Sequence, residues 1–184
     1  GDVTLKAPSI RLDGGSSDLS GQGHAISGHA ATEGAGHGGS GTGYAFGGGQ
    51  TASGPTIAAS DDWAFGGTED FEVSFWFRRD SQQGSSGYDY LYDTVPDGVA
   101  GNQNPTPCFF IDSSSKMIYY VSGANEIVSS VSVSTFGTWY HVKVQRVDGT
   151  TTMYIDGTSA GSFADLTDYV SGDITLGQCP LSES

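Results

Sequence analysis

The chain has 184 residues, enough for one domain with a sizeable core, and its net charge is -14 with only 7 Lys and Arg residues. Such an acidic surface repels nucleic-acid phosphates and anionic lipid headgroups, so nucleic acid and membranes are excluded as predicted partners. No apolar run is long enough to span a bilayer, and the 29 Gly residues indicate a soluble chain with many turns.

Residues 1–43 are predicted to form a Gly- and Ser-rich N-terminal arm, and residues 44–184 a single folded domain. Residues 2–12 contain two short alternating pieces, residues 3–5 and residues 10–12, on either side of Pro8. Because proline cannot donate to a β-ladder, this segment is typical of an edge strand or an extended arm. Residues 14–54 are rich in Gly and have almost no large apolar side chain before Tyr44, so they cannot offset their own ordering entropy, which indicates a linker or a surface-draped segment.

The arm also carries three histidines, His24, His29 and His37, at spacings of five and eight residues. These spacings match neither a helical nor a strand face, and no ligand pattern lies nearby. The sequence therefore predicts no metal site at these histidines within one chain, and metal binding would need an assembly that brings copies together.

Short alternating strands are predicted along the domain. Phe71, Val73, Phe75 and Phe77 share one face of residues 71–78, which predicts a central core strand. Core and polar residues alternate along residues 138–147, and Asp-Gly pairs at residues 148–149 and 156–157 predict tight turns on each side of a return strand. Further strands are predicted at residues 56–59, 91–93, 108–112, 117–121, 127–133, 159–163 and 173–177.

No window shows helical periodicity, so the fold class is predicted to be all-β, an antiparallel β-sandwich. Five pieces follow one another along the chain: Tyr44-Ala45-Phe46-Gly47-Gly48, Asp70-Phe71-Glu72-Val73-Ser74-Phe75-Trp76-Phe77, Gly137-Thr138-Trp139-Tyr140-His141-Val142, Met153-Tyr154-Ile155-Asp156-Gly157 and Ile174-Thr175-Leu176-Gly177. In this order they resemble the concanavalin A-like lectin/glucanase superfamily and, within it, the laminin G-like (LamG) domains. The resemblance implies a jelly-roll sandwich that binds carbohydrate or protein, often beside a calcium ion.

Residues 90–94 and 123–127 look like the LamG modules of phage tail fibres and other virion surface proteins, and residues 1–10 resemble the repetitive β segments of such fibres. This resemblance implies a non-enzymatic structural or attachment module on a virion or fibre surface, like a decoration protein, which assembles through its N-terminal arm. Its expected partners are copies of itself or other virion and fibre proteins, and its expected location is extracellular or on the virion. The alternative is a secreted carbohydrate-binding lectin-like domain, with or without calcium.

One departure from the family concerns the end of the sandwich. LamG modules of this kind usually close with a further strand of the pattern aromatic-Asn-Gly-x-Ile-Asp, which does not follow residue 177 here. A missing strand leaves an open sheet edge. Residues 2–12, from the same chain or from a neighbouring subunit, are predicted to fill it by strand addition.

No catalytic residue is assigned. The glucanases of the superfamily carry Glu-x-Asp-x-x-Glu on one strand, whereas this chain has only Glu69, Asp70 and Glu72 near that position. A Ser-His-Asp triad would have to use His141, but the chain has no Gly-x-Ser-x-Gly motif to supply the serine. We therefore predict that the protein is not an enzyme.

No metal, cofactor or ligand-binding residue is assigned either, although calcium remains an alternative. Loop aspartates could supply its oxygens, but without an EF-hand spacing they are more typical of turn capping: Asp61, Asp62, Asp89, Asp93 and Asp97. Aromatic residues that could stack on sugars are more typical of core at these alternating positions: Trp63, Tyr88, Tyr90 and Tyr119. Cys108 and Cys179 could form a disulfide or be two buried thiols.

Overall fold

The structure, a computed structural model, describes residues 24, 26–27, 32–35, 37–39, 42–45, 54–81, 87–94 and 105–177. Within these residues, strands and short turns make up the fold and no α-helix occurs. The strands in chain order are β1 (Ile26–Ser27), β2 (Thr32–Ala35), β3 (Thr42–Ala45), β4 (Thr56–Ile57), β5 (Phe71–Arg78), β6 (Asp89–Asp93), β7 (Pro107–Ile111), β8 (Lys116–Val121), β9 (Ala124–Ser132), β10 (Trp139–Val147), β11 (Thr150–Ile155), β12 (Thr158–Ala164) and β13 (Ile174–Leu176).

Two antiparallel sheets pack into a sandwich, which confirms the predicted fold class. The large sheet has seven strands in the order β1-β4-β13-β6-β7-β8-β9, and the small sheet has four in the order β12-β11-β10-β5. A separate pair, β2 with β3, forms a third sheet. The core lies between the two large layers, where Val142 and Val144 of the small sheet belong to the same apolar cluster as Phe109 and Met117 of the large sheet.

The meander β10-β11-β12 confirms the predicted hairpin and adds a third strand. Asp148 and Gly149 have φ values of 48° and 70°, and Asp156 and Gly157 have values of 49° and 77°. Two successive residues of positive φ are what a two-residue hairpin turn requires, and Asp-Gly supplies them at low steric cost. Along β10, even-numbered residues are buried and face the core, while odd-numbered residues face outward.

The prediction of a central core strand at β5 has two parts, its role in the core and its position in the sheet. Phe71 and Phe77 are buried in the core, and Val73 and Phe75 pack against it, as their shared face predicts. In the order of the described strands, however, β5 is the last member of the small sheet and pairs with β10. Side-chain alternation reveals which face is buried, but it carries no information about neighbours along the sheet, so the core role is confirmed and the central position stays a prediction.

Part of the predicted arm contributes strands. Ile26 and Ser27 of β1 pair with Ile57 and Thr56 of β4, at the end of the large sheet. The range of β2 and the first half of β3 also fall before residue 44. The boundary at residue 44 stays a prediction, and residues 2–12 lie outside the described residues.

Candidate functional site

The outward face of the small sheet carries a group of aromatic and charged side chains, which we call the aromatic face. Because residues 71, 73, 75 and 77 of β5 point inward, the residues between them point outward, and strand pairing places His141 opposite Trp76 and Trp139 opposite Arg78. Lys143 of β10 lies opposite Tyr154 of β11. The aromatic face comprises His37, Trp76, Arg78, Trp139, His141, Lys143 and Tyr154.

Trp76 is the centre of this face, with 46% of its surface exposed although most of the other large apolar side chains are buried. The imidazole of His37 stacks on it, with ring centroids 3.6 Å apart and planes 9° from parallel. The ring of His141 lies 4.9 Å away at a tilt of 42°. His37 comes from a short turn, His37–Gly39, between β2 and β3, and its ring also meets Trp139 edge-on at 5.8 Å.

Cations lie over the other aromatic rings of the face. The guanidinium of Arg78 is 5.3 Å from the centre of the Trp139 ring, and Lys143 Nζ is 4.8 Å from that of Tyr154. Lys143 Nζ also donates to Gln145 Oε1 at 3.0 Å and lies 3.7 Å from Glu72 Oε2. These contacts hold the polar rim in place around Trp76.

Arg78 and Asp80 form a bidentate pair at the end of β5, with Nε and the guanidinium Nη2 donating to the two carboxylate oxygens at 2.8 and 2.9 Å. The hydrogen bonds from Arg78 lower the pKa of Asp80, and the same bonds raise the pKa of Arg78. Both side chains are exposed, so the charge pair is screened by solvent and orients Arg78 rather than stabilising the fold.

The chemistry of the aromatic face suits binding of a ring-shaped, hydroxyl-rich ligand. A flat indole surface offers apolar contact, while the surrounding amide, carboxylate and ammonium groups can donate and accept hydrogen bonds. The parallel ring of His37 shows that a flat group of this size fits against Trp76.

The predicted non-catalytic carboxylates each have a local contact. Glu69 Oε2 accepts from the backbone N–H of Gly66 at 2.8 Å, and Asp70 Oδ1 accepts from that of Asp148 at 3.0 Å. Glu72 lies on the outward face of β5 near Lys143. The three carboxylates therefore serve turns and the rim of the aromatic face.

The loop aspartates do not form a common ligand set among the described residues, where no group of three metal-ligating side chains occurs. Asp62 Oδ2 accepts a hydrogen bond of 2.9 Å from His24 Nε2, and Asp89 forms an ion pair of 2.6 Å with Arg79. Asp93 is buried and Asp61 is exposed in the first turn of the segment Asp61–Trp63. Asp97 and His29 lie outside the described residues.

The aromatic residues named from the sequence divide as core and surface. Trp63 and Tyr119 are buried, and Trp63 Nε1 donates to the Gly172 carbonyl at 2.9 Å, which confirms them as core. Tyr88, 41% exposed, and the half-buried Tyr90 contact Phe110 on the outward side of the large sheet. Cys108 is buried beside Phe110, whereas Cys179 lies outside the described residues, so the disulfide question stays open.

A second polar group, which we call the buried ion cluster, lies inside the sandwich and was not found from the sequence. Arg146, on the inward side of β10, is fully buried and donates to the carbonyls of Glu69 and Thr167 at 2.8 Å each and to that of Gly66. Its guanidinium lies 3.6 Å from Asp165 Oδ1. The rings of Phe71 and Tyr169 flank it at 5.0 and 5.2 Å.

Asp165 completes the buried ion cluster. Its Oδ2 accepts from the hydroxyls of Thr151 at 2.6 Å and Tyr169 at 2.9 Å, and Tyr119 donates in turn to the Tyr169 hydroxyl at 3.0 Å. Burial raises the pKa of Tyr119 and of Tyr169 well above the usual tyrosine value. The cluster ties two loops to the core and has a structural role.

Sequence reasoning assigned no ligand-binding residue and overlooked Trp76, Trp139 and the contact of His37. A usable signal was present: Trp76 occupies an outward position of an alternating strand, where a polar residue is the ordinary choice. The stacking of His37 could not be found this way, because it joins residues about forty positions apart through the turn between β2 and β3.

The geometry and the fold define a laminin G-like sandwich, and residues 35–182 match the sequence model of the Laminin_G_3 family, described as the concanavalin A-like lectin/glucanases superfamily. The chain belongs to this family. No match was found among curated protein sequences.

Several solved structures are similar to this chain at low sequence identity. Domain 4 of AbnA, an extracellular GH43 arabinanase from Geobacillus stearothermophilus solved with arabinotriose, is similar with a TM-score of 0.52 and 18% identity over 89% of this chain and 78% of that chain. Trypanosoma rangeli sialidase in complex with the inhibitor DANA gives 0.51 and 12% identity over 84% of this chain and 27% of the sialidase. Mouse laminin alpha1 domains LG4-5 give 0.45 and 15% identity over 65% of this chain.

The chain covers 31% of the laminin structure and 27% of the sialidase structure, so it spans less than a third of each. Across the described residues, no helix has the length and apolar character that crossing a membrane demands.

Proposed function

We propose that the chain is a non-catalytic carbohydrate-binding module that holds a sugar ring against Trp76 on the aromatic face. The observation that carries the proposal is the position of Trp76, nearly half exposed on strand β5 and surrounded by oriented polar groups. A flat aromatic surface with a few fixed hydrogen-bonding groups is the usual construction of a small-ligand site. A tryptophan left in water without such a role is uncommon.

The imidazole of His37 occupies part of the surface that the sugar would use. Its parallel stack at 3.6 Å is the arrangement in which the apolar side of a pyranose or furanose ring would lie on an indole. Ligand binding then replaces the imidazole on Trp76. Lys143, Glu72 and Gln145 are placed to hydrogen-bond sugar hydroxyls at the rim.

The fold supports the same proposal. The arabinanase domain of similar fold was solved with a bound trisaccharide, arabinotriose. At 18% identity this likeness concerns the fold, so neither the sugar nor the binding residues are transferred to this chain.

The local roles of the carboxylates support a non-catalytic module. Glycoside hydrolysis requires two carboxyl groups about 5 to 9.5 Å apart on opposite sides of a bond. Glu69 and Asp70 instead accept backbone hydrogen bonds that close turns, and Glu72 neighbours Lys143. Binding without turnover is the expected behaviour.

The test is a glycan array followed by calorimetry on the best ligand, with Trp76→Ala against Tyr88→Ala. Tyr88 is a matched control because it is also an exposed aromatic residue, 41% against 46%, but lies at the large sheet. We expect Trp76→Ala to weaken binding by about tenfold or more, since a stacked aromatic contact contributes about 1 kcal/mol beyond its buried area. Equal affinities of the two variants would contradict the proposal. A chelator added to the wild type tests the calcium alternative.

The second candidate is an attachment module on a virion or fibre surface that assembles through residues 1–43 into a homo-oligomer or with other fibre proteins. The resemblance of residues 90–94, 123–127 and 1–10 to such proteins favours it. Both candidates imply an extracellular or particle-surface location. Light scattering separates them, because the second requires a stable oligomer whereas the first is satisfied by a monomer.

A further inference from the structure

The outer edge of β5 is the feature from which this inference starts. In the order of the described strands β5 ends the small sheet, with β10 on one side of it. An edge strand presents a row of backbone N–H and C=O groups that can pair with another extended segment. This edge runs through eight residues, Phe71–Arg78, the length of an ordinary strand.

The core beneath this edge is incompletely covered. Val73 and Phe75 face inward yet are only partly buried, whereas their register partners on β10, Val144 and Val142, are fully buried. Paired inward-facing side chains are therefore fully buried on the interior strand β10 but remain partly exposed on the edge strand β5. A further strand beside β5 would bury the remaining apolar surface of both side chains.

The two sides of the sandwich are unequal. At one side β12 lies against β9, so closely that a Cβ at Gly161 would meet Ile127 Cγ2 at 2.6 Å. The β5 edge lies at the opposite side, where the large sheet ends in β4 and β1. The strand β1, which follows residues 2–12 in the chain, is thus on the same side of the sandwich as the β5 edge.

We propose that residues 2–12 of the same chain add to β5 as a further strand, paired through main-chain hydrogen bonds. The segment alternates apolar and polar residues at positions 3–5 and 10–12, and Pro8 is tolerated where a strand has a free outer side. Its two cations, Lys6 and Arg11, would approach an edge whose ends and outward side carry Asp70, Glu72 and Asp80.

The reach of the chain agrees with this assignment. His24 is held at the sandwich by its contact of 2.9 Å with Asp62. Residues 13–23 can extend to roughly 40 Å, compared with a radius of gyration of about 16 Å for a compact chain of this length. Addition within one chain is also favoured because a tethered segment has a high effective concentration.

The experiment compares hydrogen exchange of the β5 amides in full-length wild type and in the double variant Leu5→Asp, Ile10→Asp. The matched control is Ser16→Asp, Ser17→Asp, which adds the same charge in the linker. We expect exchange in residues 71–78 to become about tenfold faster in the first variant and to stay unchanged in the control, because a strand that leaves exposes its pairing edge.

Two results would overturn the proposal. One is unaltered exchange at β5 in the Leu5→Asp, Ile10→Asp variant. The other is a wild-type oligomer that this variant dissociates in light scattering, since the segment would then serve a second copy. Neither measurement involves a glycan, so the outcome is independent of the proposed carbohydrate binding.

Discussion

Two cations three residues apart on β10, Lys143 and Arg146, illustrate how the two faces of one strand are used. Arg146 points inward, has no solvent exposure, and is enclosed by three carbonyl oxygens, a carboxylate and two aromatic rings. Lys143 points outward, lies over Tyr154 and keeps 31% of its side chain exposed. A saturated cation stabilises the fold, whereas one with free hydrogen-bonding capacity is available to a ligand.

The largest effect is expected from removing Arg146, the cation on the inward face of β10. Arg146→Ala should destabilise the protein by about 3 to 5 kcal/mol, because Asp165 would remain buried without its cation. Urea unfolding measures the loss. Lys143→Ala is the matched control on the same strand and should cost less than about 1 kcal/mol. Similar losses in the two variants would show that the inward and outward cations are not distinct in role.

The second-largest effect is expected at alkaline pH, which should reduce the stability that the buried ion cluster contributes. Burial raises the pKa of Tyr119 and Tyr169, so in the unfolded chain these phenols deprotonate first, near pH 10. Their contribution is complete below that pH and declines above it, by about 1.4 kcal/mol per pH unit for each group. When the melting temperature is measured from pH 8 to 11, it should fall only at the upper end of this range. Phenolate absorbance, recorded in parallel, should rise as the protein unfolds. A melting temperature that stays constant through pH 11 would contradict the raised pKa values of Tyr119 and Tyr169.

The smallest effect is expected on the outward side. His37→Ala should raise the affinity for a glycan about two- to tenfold, because the sugar would no longer compete with a stacked imidazole worth roughly 0.5 to 1.5 kcal/mol. Titration calorimetry with the array ligand measures the change. His24→Ala, which alters a histidine that contacts Asp62 instead, serves as the control. A weaker complex would mean that His37 holds the sugar rather than competing with it.

Local patterns were predictable and long-range ones were not. Alternation along β10 and the two Asp-Gly turns specify the meander, since each depends on residues close in sequence. The buried position of Arg146 follows the same parity, but a charged residue is assigned to the surface unless its partners are known. Those partners, Gly66 and Thr167, lie 80 and 21 residues away.

The same limit applies to the candidate site. The outward position of Trp76 follows from the inward set on β5, whereas the lateral place of β5 and the approach of His37 depend on how distant segments meet. The residue pattern of a single strand determines which of its faces is buried, whereas the order of strands in the sheet depends on the whole chain.

The order of strands in the large sheet has a consequence for biosynthesis. The meander needs only consecutive residues, so its strands can pair as soon as they are made, with little loop-closure entropy. In the large sheet, Ile174 pairs with Ile57, and β13 also joins β4 to β6. A ribosome must therefore deliver residues 174–176 before β4 and β6 become part of one sheet, and until then the edges of both strands that pair with β13 stay unpaired.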